Sequence, residues 1–340
     1  MKMYLESGYV NMEGLIRNNF PFVMINGGRG TGKTYGGLLA ILNLQASGEC
    51  RRFLYLRRTQ VETDIISGEE TNPFKKVCSD TGISITMKTI RQNIYGFYKD
   101  DELIGYAAAL STFRNLRGFD FSDVDIIFYD EFIPEPGSYV IKNEASVLFN
   151  VYESVNRNRE LQDRRPVKLI CCANSNELGN PLYMELGVIS KLEKLALDGG
   201  GTLRDPERGL MIVLLRDSPI SARKQKTALY KLTASSSFYN MSIRNEYADN
   251  DQDAIRTQSL QEYGSQPIVT LDGIAVYRHK SQNLYYCCEY SGKPEFTTNA
   301  RDIERFNLRY YYLWNRYIDG ELLFQNYLTK LIFMVYNKSR

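Results

Sequence analysis

The segment GGRGTGKT, made of Gly27, Gly28, Arg29, Gly30, Thr31, Gly32, Lys33 and Thr34, has the spacing Gly-x-x-x-x-Gly-Lys-Thr. It lies between the apolar run Phe22–Asn26 and a helix-like stretch, the context in which this pattern cradles phosphates. The glycines let consecutive backbone N–H groups face the α- and β-phosphates, and the helix that follows adds its positive end. Lys33 would reach the β/γ oxygens of ATP, and Thr34 would give its hydroxyl to Mg²⁺. The plainer alternative is a glycine-rich turn joining strand to helix.

A second segment, VDIIFYDE, is an apolar strand that ends in Asp130 and Glu131. A buried strand delivers such carboxylates to its C-terminal edge, where ligands of open α/β sheets bind. Asp130 would complete the Mg²⁺ shell and Glu131 would orient the attacking water. Taken alone, an Asp-Glu pair at a strand end also suits the start of a helix. A third run, KLICCANSN, ends in Asn174 and Ser175, which could sense the γ-phosphate or simply form a polar turn. The run NRNRE holds Arg157 and Arg159 and reads either as a solvated helix face or as an arginine finger for a neighbouring subunit's nucleotide.

The elements that must position these groups follow from hydrophobic patterning. Strand-like runs recur at Phe22–Asn26, Phe53–Arg57, Asp125–Tyr129, Lys168–Ala173 and Leu210–Leu215, with room for helices between them. That alternation predicts an α/β fold with a mainly parallel sheet and helices on both faces. Ile83–Met87, Ile94–Tyr98 and Leu103–Ala109 alternate around Asp100-Asp101 and predict a small antiparallel insertion. After Leu215 the character changes, with Arg223, Lys224, Lys226 and Lys231 clustered before an acidic break at 248–253. Residues 221–253 read as a linker. Strand candidates at Ile268–Tyr277 and Asn283–Tyr290, followed by a tyrosine-rich, helix-like stretch from Tyr310 to Tyr336, predict a second, smaller α/β domain.

At 340 residues the chain can hold two domains, and 43% hydrophobic with 24% charged residues is ordinary for a globular protein. A net charge of +2 means that any contact with nucleic acid must be local. No apolar run reaches the roughly 18 residues of a membrane span, which predicts a cytosolic protein with no membrane partner. The six cysteines show no CxxC spacing and predict reduced thiols, and the single His279 argues against a His-based metal site.

In order, GGRGTGKT, the FLYLRR strand, the hairpin, IIFYDEF, VNRNRE and CCANSNE together resemble the genome-packaging ATPases of small picovirus-type tailed phages, the prohead-RNA-dependent relatives of large terminases. The similarity runs through about residues 20 to 220 and more weakly to the C-terminus. The resemblance implies a P-loop additional-strand-catalytic-glutamate ATPase domain at 1–220, the linker at 221–253, and an RNase H-like domain without nuclease activity at 254–340. It further implies a homomeric ring, typically a pentamer, mounted on the portal protein through a structural prohead RNA. That ring would drive double-stranded DNA into the procapsid at the portal vertex with ATP and Mg²⁺. By position, Arg157 looks like the trans-acting finger, Asn174 and Ser175 like the coupling motif, and Arg117 like a second trans-acting basic residue, where the family member compared has Lys. A helicase or recombination ATPase would share both ATPase segments, and a large terminase with an active endonuclease would need several carboxylates on two metal ions. Asp272, Glu289, Asp302 and Glu304 are present, but without an Asp-x-Asp on the first strand of that domain.

Overall fold

A computed structural model of the chain describes residues 2–116, 118–134, 141–174, 178–215, 218–234, 236, 239 and 254–336. Two compact units are formed, one from residues 1–177 with 195–248 and the other from 178–194 with 249–340. In the first, chain order runs α1 (Met12–Ile16), β1 (Phe22–Gly27), α2 (Lys33–Ala46), β2 (Arg52–Arg57), α3 (Gln60–Ile66) and α4 (Lys75–Thr81). Then come β3 (Ile85–Arg91), β4 (Ile94–Lys99), β5 (Glu102–Ala109), β6 (Val124–Asp130), α5 (Glu144–Asn156) and β7 (Lys168–Ala173). After α6 (Pro181–Glu185) and most of α7 (Ile189–Leu197), which belong to the second unit, the first continues with β8 (Gly201–Asp205), β9 (Leu210–Leu215), α8 (Pro219–Lys224) and α9 (Ala228–Leu232).

The nine strands form one sheet in the order β3-β4-β5-β2-β6-β7-β1-β9-β8. From β5 to β9 every pairing is parallel, and only the two edges are antiparallel. The central strands are apolar on both faces because helices cover both, which is why they read as continuous hydrophobic runs. Val23 and Ile25 of β1 pack with Leu38 and Ile41 of α2 in one core layer, while Phe22 meets Tyr152 of α5 on the opposite face at 5.0 Å between ring centroids. β7 stands between β1 and β6, which makes it the additional strand of the expected ATPase class.

The antiparallel segment is joined as expected by a tight turn, with φ 49° at Asp100 and 63° at Asp101, but it is no separate insertion. β5 pairs in parallel with β2, so the hairpin extends the main sheet. β8 was not anticipated; its partly exposed residues on the far edge carry no apolar run.

The second unit holds β10 (Val269–Leu271), β11 (Ile274–Arg278), β12 (Tyr285–Glu289), α10 (Ala300–Tyr310), α11 (Tyr312–Ile318), β13 (Leu322–Phe324) and α12 (Tyr327–Val335). Its sheet has the order β10-β11-β12-β13, with a core of Val276, Cys287, Phe306, Trp314, Phe324 and Phe333 among others. The smaller α/β domain is therefore present, with two corrections in detail. The run Ile268–Tyr277 folds back on itself at Asp272-Gly273, where Gly273 has φ 76°, and the stretch read as helical contains β13. All six cysteines are free, and all but Cys78 are buried.

Helix α2 must lie close to the sheet, and glycine permits it. A Cβ at Gly37 would come within 2.4 Å of the fully buried Phe128 ring. Gly37→Val should therefore cost about 1–3 kcal/mol through overpacking, read as a lower urea midpoint at unchanged m-value.

Candidate nucleotide-binding site

The loop from Gly27 to Thr34 joins β1 to α2, and Gly30 and Gly32 take φ 72° and 90°, conformations that penalise any Cβ. Gly27 is needed for a different reason, since a Cβ there would lie 2.8 Å from Leu215. Lys33 opens α2 and is buried. Its Nζ donates to the carbonyls of Gly27 at 2.6 Å and Gly28 at 3.0 Å, to Thr31 Oγ1 at 3.3 Å and to Asn174 Oδ1 at 3.4 Å. Asn174 follows directly on β7, so the tip of the additional strand touches the loop's lysine. Arg29 contributes its carbonyl, which accepts from Lys224 Nζ of α8.

Asp130, the last residue of β6, is buried at the same edge. Thr34 Oγ1 donates to its Oδ2 at 2.9 Å and the Tyr55 hydroxyl to the same oxygen at 2.8 Å. Burial raises the Asp130 carboxyl above the ordinary range, against the pull of Arg57 and Tyr55. The donor set of a threonine hydroxyl and a carboxylate in direct contact suits a hard cation that keeps several waters, and these two residues would hold Mg²⁺.

Glu131 comes next and sits in the left-handed region at φ 56°. Its carboxylate is half-exposed and accepts from Arg57 Nη2 at 2.5 Å. Arg57 Nη1 lies 3.8 Å from Asp130, and its Nε 3.5 Å from Glu62. Burial opposes its charge, but Tyr55, Glu131 and Asp130 outweigh that and hold the guanidinium above its ordinary value. The neighbouring Arg58 grips Glu144, the first residue of α5, with two hydrogen bonds of 2.8 Å, and Tyr129 adds a third at 3.1 Å. Tyr55, Arg57, Arg58 and Glu144 were not singled out in the sequence. The one available signal was a pair of arginines closing an apolar strand.

Arg157 stands elsewhere. It caps the C-terminal end of α5 with φ 46°, and its Nη1 bonds Asp120 at 2.9 Å. Asp120 precedes β6, so Arg157 lies at the sheet's N-terminal edge, about 20 Å along α5 from the carboxylates. Arg159 is buried there and bonded to Asp125 at 3.0 Å and to the carbonyls of Ser122 and Val124, which commits it to the fold. Arg117 and Ser175 lie outside the described residues.

A family model described as podovirus DNA encapsidation protein (Gp16) matches residues 5–287. The chain belongs to the podovirus Gp16 DNA encapsidation family. It is 28% identical over 237 residues to the DNA packaging protein of Bacillus phage phi29, an alignment covering 68% of this chain and 64% of that relative, so the chain spans a little under two thirds of the relative's length. The structure of the bacteriophage phi29 genome packaging motor assembly superposes with a TM-score of 0.68 at 21% identity, over 97% of this chain and 99% of that one. The N-terminal domain of the phi29 DNA packaging ATPase gives 0.50 at 25% identity over 62% of this chain and 97% of that domain.

The buried lysine makes nucleotide binding sensitive to pH. Burial lowers Lys33 to about 8, and an arriving triphosphate should raise it again. Above about pH 8 the free protein holds Lys33 largely neutral, so binding there should take up a proton, whereas below that pH little is exchanged. Calorimetry in buffers of different ionisation enthalpy measures this. Lys33→Ala should abolish the uptake and weaken binding, while Glu131→Gln should keep both and lose turnover.

Proposed function

We propose that this member of the Gp16 family is an ATP-driven motor that moves double-stranded DNA into a procapsid as a homomeric ring at the portal vertex. The observation that carries the reading is the convergence of Lys33, Thr34, Asp130 and Glu131 on one sheet edge while Arg157 stands at the other. The first four form a complete phosphate, metal and water-directing set. Mg²⁺ held by Thr34 and Asp130 would neutralise charge on the β- and γ-phosphates. Lys33 exchanges its carbonyl partners for phosphate oxygens, and Asn174 feels that exchange through its hydrogen bond to Nζ. Glu131 must leave Arg57 before it can polarise a water. Arg157 cannot reach its own subunit's nucleotide across the sheet, so a finger role requires a second copy.

On this reading ATP and Mg²⁺ are the cofactors, and the partners are double-stranded DNA, the portal protein, a structural prohead RNA and further copies of the chain, with five in the ring as for the family. The site of action is the host cytoplasm, transiently at the procapsid. Residues 221–253, of which 235, 237, 238 and 240–253 lie outside the described residues, are proposed as a linker between the motor domain and an RNase H-like C-terminal domain. Arg117 and Ser175 remain proposed as a second trans-acting residue and part of the coupling motif. The similarity to DNA packaging proteins and to a packaging motor assembly supports this reading over a helicase.

The ring is tested by mixing. Arg157→Ala keeps an intact phosphate loop and Glu131→Gln keeps an intact finger. Each alone should lose about 10³-fold or more of assembly-stimulated ATPase while binding ATP normally, and the mixture should recover part of it. Wild-type turnover by Arg157→Ala under assembly conditions would remove the finger, and Arg159, spent on Asp125, could not replace it.

The C-terminal domain is proposed not to cut DNA. Asp302 is occupied by the Thr297 hydroxyl and the Asn299 amide, and Asp272 by the backbone N–H of Thr298. The full-length protein with Mn²⁺ should leave supercoiled plasmid intact. Nicking that disappears in Asp272→Ala would restore the terminase-nuclease alternative.

A further inference from the structure

Strands β2, β6 and β7 run parallel, so the segments that lead into them meet at the N-terminal edge of the sheet, away from the nucleotide. There a cavity of about 470 Å³ is lined by Arg51, Ser122, Asp125, Arg159, Arg164 and Arg165. Four guanidiniums face one carboxylate, and that carboxylate is already engaged. Asp125 accepts from the Arg51 backbone at 2.8 Å and from its side chain at 3.3 Å, and from Arg159 at 3.0 Å. Arg164 and Arg165 are exposed, and among the described residues neither guanidinium has a hydrogen bond or ion pair. Glu49, whose carboxyl feels Arg165, is itself tied to Arg17. A chain with a net charge of only +2 thus concentrates uncompensated positive charge at one spot.

We propose that this arginine cluster binds the phosphodiester backbone of duplex nucleic acid, with Arg164 and Arg165 contacting phosphates and the Arg159–Asp125 pair fixing the platform beneath them. The inference deepens the nucleic-acid partnership of the proposed function by assigning it a place on this chain. Among the described residues no aromatic side chain lines the cavity, so these offer no stacking platform for single-stranded bases. Backbone contact by arginine carries no sequence information and depends steeply on salt. DNA and RNA duplexes share this chemistry, and the experiment separates them.

The test uses the full-length protein and fluorescence anisotropy with labelled, unrelated-sequence DNA and RNA duplexes of equal length between about 50 and 200 mM salt. Replacing Arg164 and Arg165 together by Ala should reduce the slope of log K against log salt by about 1.8, so that the loss of affinity is about tenfold larger at the lower salt than at the higher, with ATP binding unchanged. The double Lys variant should retain the slope, because counterion release counts charges rather than guanidinium geometry. A change in the RNA arm alone assigns the site to RNA, in the DNA arm alone to DNA, and in both to either duplex. An unchanged slope in both arms overturns the proposal. So does loss of assembly-stimulated ATPase with both slopes intact, which reassigns the arginines to a neighbour's triphosphate. Wild-type protein that binds neither duplex would instead count against the proposed motor, so the two failures are distinguishable.

Discussion

Asp130 is a carboxylate buried at the end of a central strand, and the rest of the nucleotide edge is arranged to make that tolerable. An isolated buried charge is very costly, so its oxygens must be paired. The three partners come from two elements: the Thr34 hydroxyl from the start of α2, and the Tyr55 hydroxyl and the Arg57 guanidinium from β2. To supply them, α2 must begin directly beside β6, which sets the length of the glycine loop and the close approach at Gly37. The geometry that satisfies Asp130 is therefore also the geometry that holds Lys33 over the phosphate position.

From that point charge runs outward along β2. Arg57 faces the two acidic residues of β6, and Arg58, next in sequence, clamps the first residue of α5 through a bidentate pair. Bidentate arginine–carboxylate contacts fix orientation as well as distance. α5 is then a rod of 13 residues with one end clamped beside the end of β2 and the other carrying Arg157. In the proposed motor, a shift of Arg57 as Glu131 turned toward water would act on the residue adjacent to the clamp, and the same helix would carry that change toward the proposed finger.

What the sequence made legible was whatever physics encodes locally. Buried parallel strands are apolar on both faces, so β1, β2, β6, β7 and β9 stood out, and the phosphate loop did because only glycine tolerates the φ of Gly30 and Gly32. Asp130 followed from its place at a strand end. The grip of Arg57 on Glu131, the Tyr55 hydroxyl bond and the Arg58–Glu144 clamp join residues 74 to 86 positions apart, and no local pattern marks such pairs. Arg159 was ambiguous for the same reason, since its side chain looks like a second finger until Asp125 is placed beside it. β13 was hidden because three residues amid helix-forming neighbours are too few for a period to show.

The two edges of the sheet also explain how a nearly neutral chain could serve both a nucleotide and a nucleic acid. At the C-terminal edge the arginines are matched by carboxylates: Arg57 by Glu131, Glu62 and Asp130, and Arg58 by Glu144. Positive charge there is spent on positioning, leaving the loop amides and Lys33 to meet the phosphates. At the N-terminal edge the matching is incomplete, because Asp125 already serves Arg51 and Arg159 while, among the described residues, Arg164 and Arg165 form no ion pair. Arg157 sits at that edge as well, held by the exposed Asp120 in a surface pair that solvent and salt screen. In the proposed ring, so weak a tether would hold the guanidinium between encounters yet yield to a triphosphate, whose charge exceeds that of one carboxylate. A finger that must be both ordered and releasable needs a partner of about that strength.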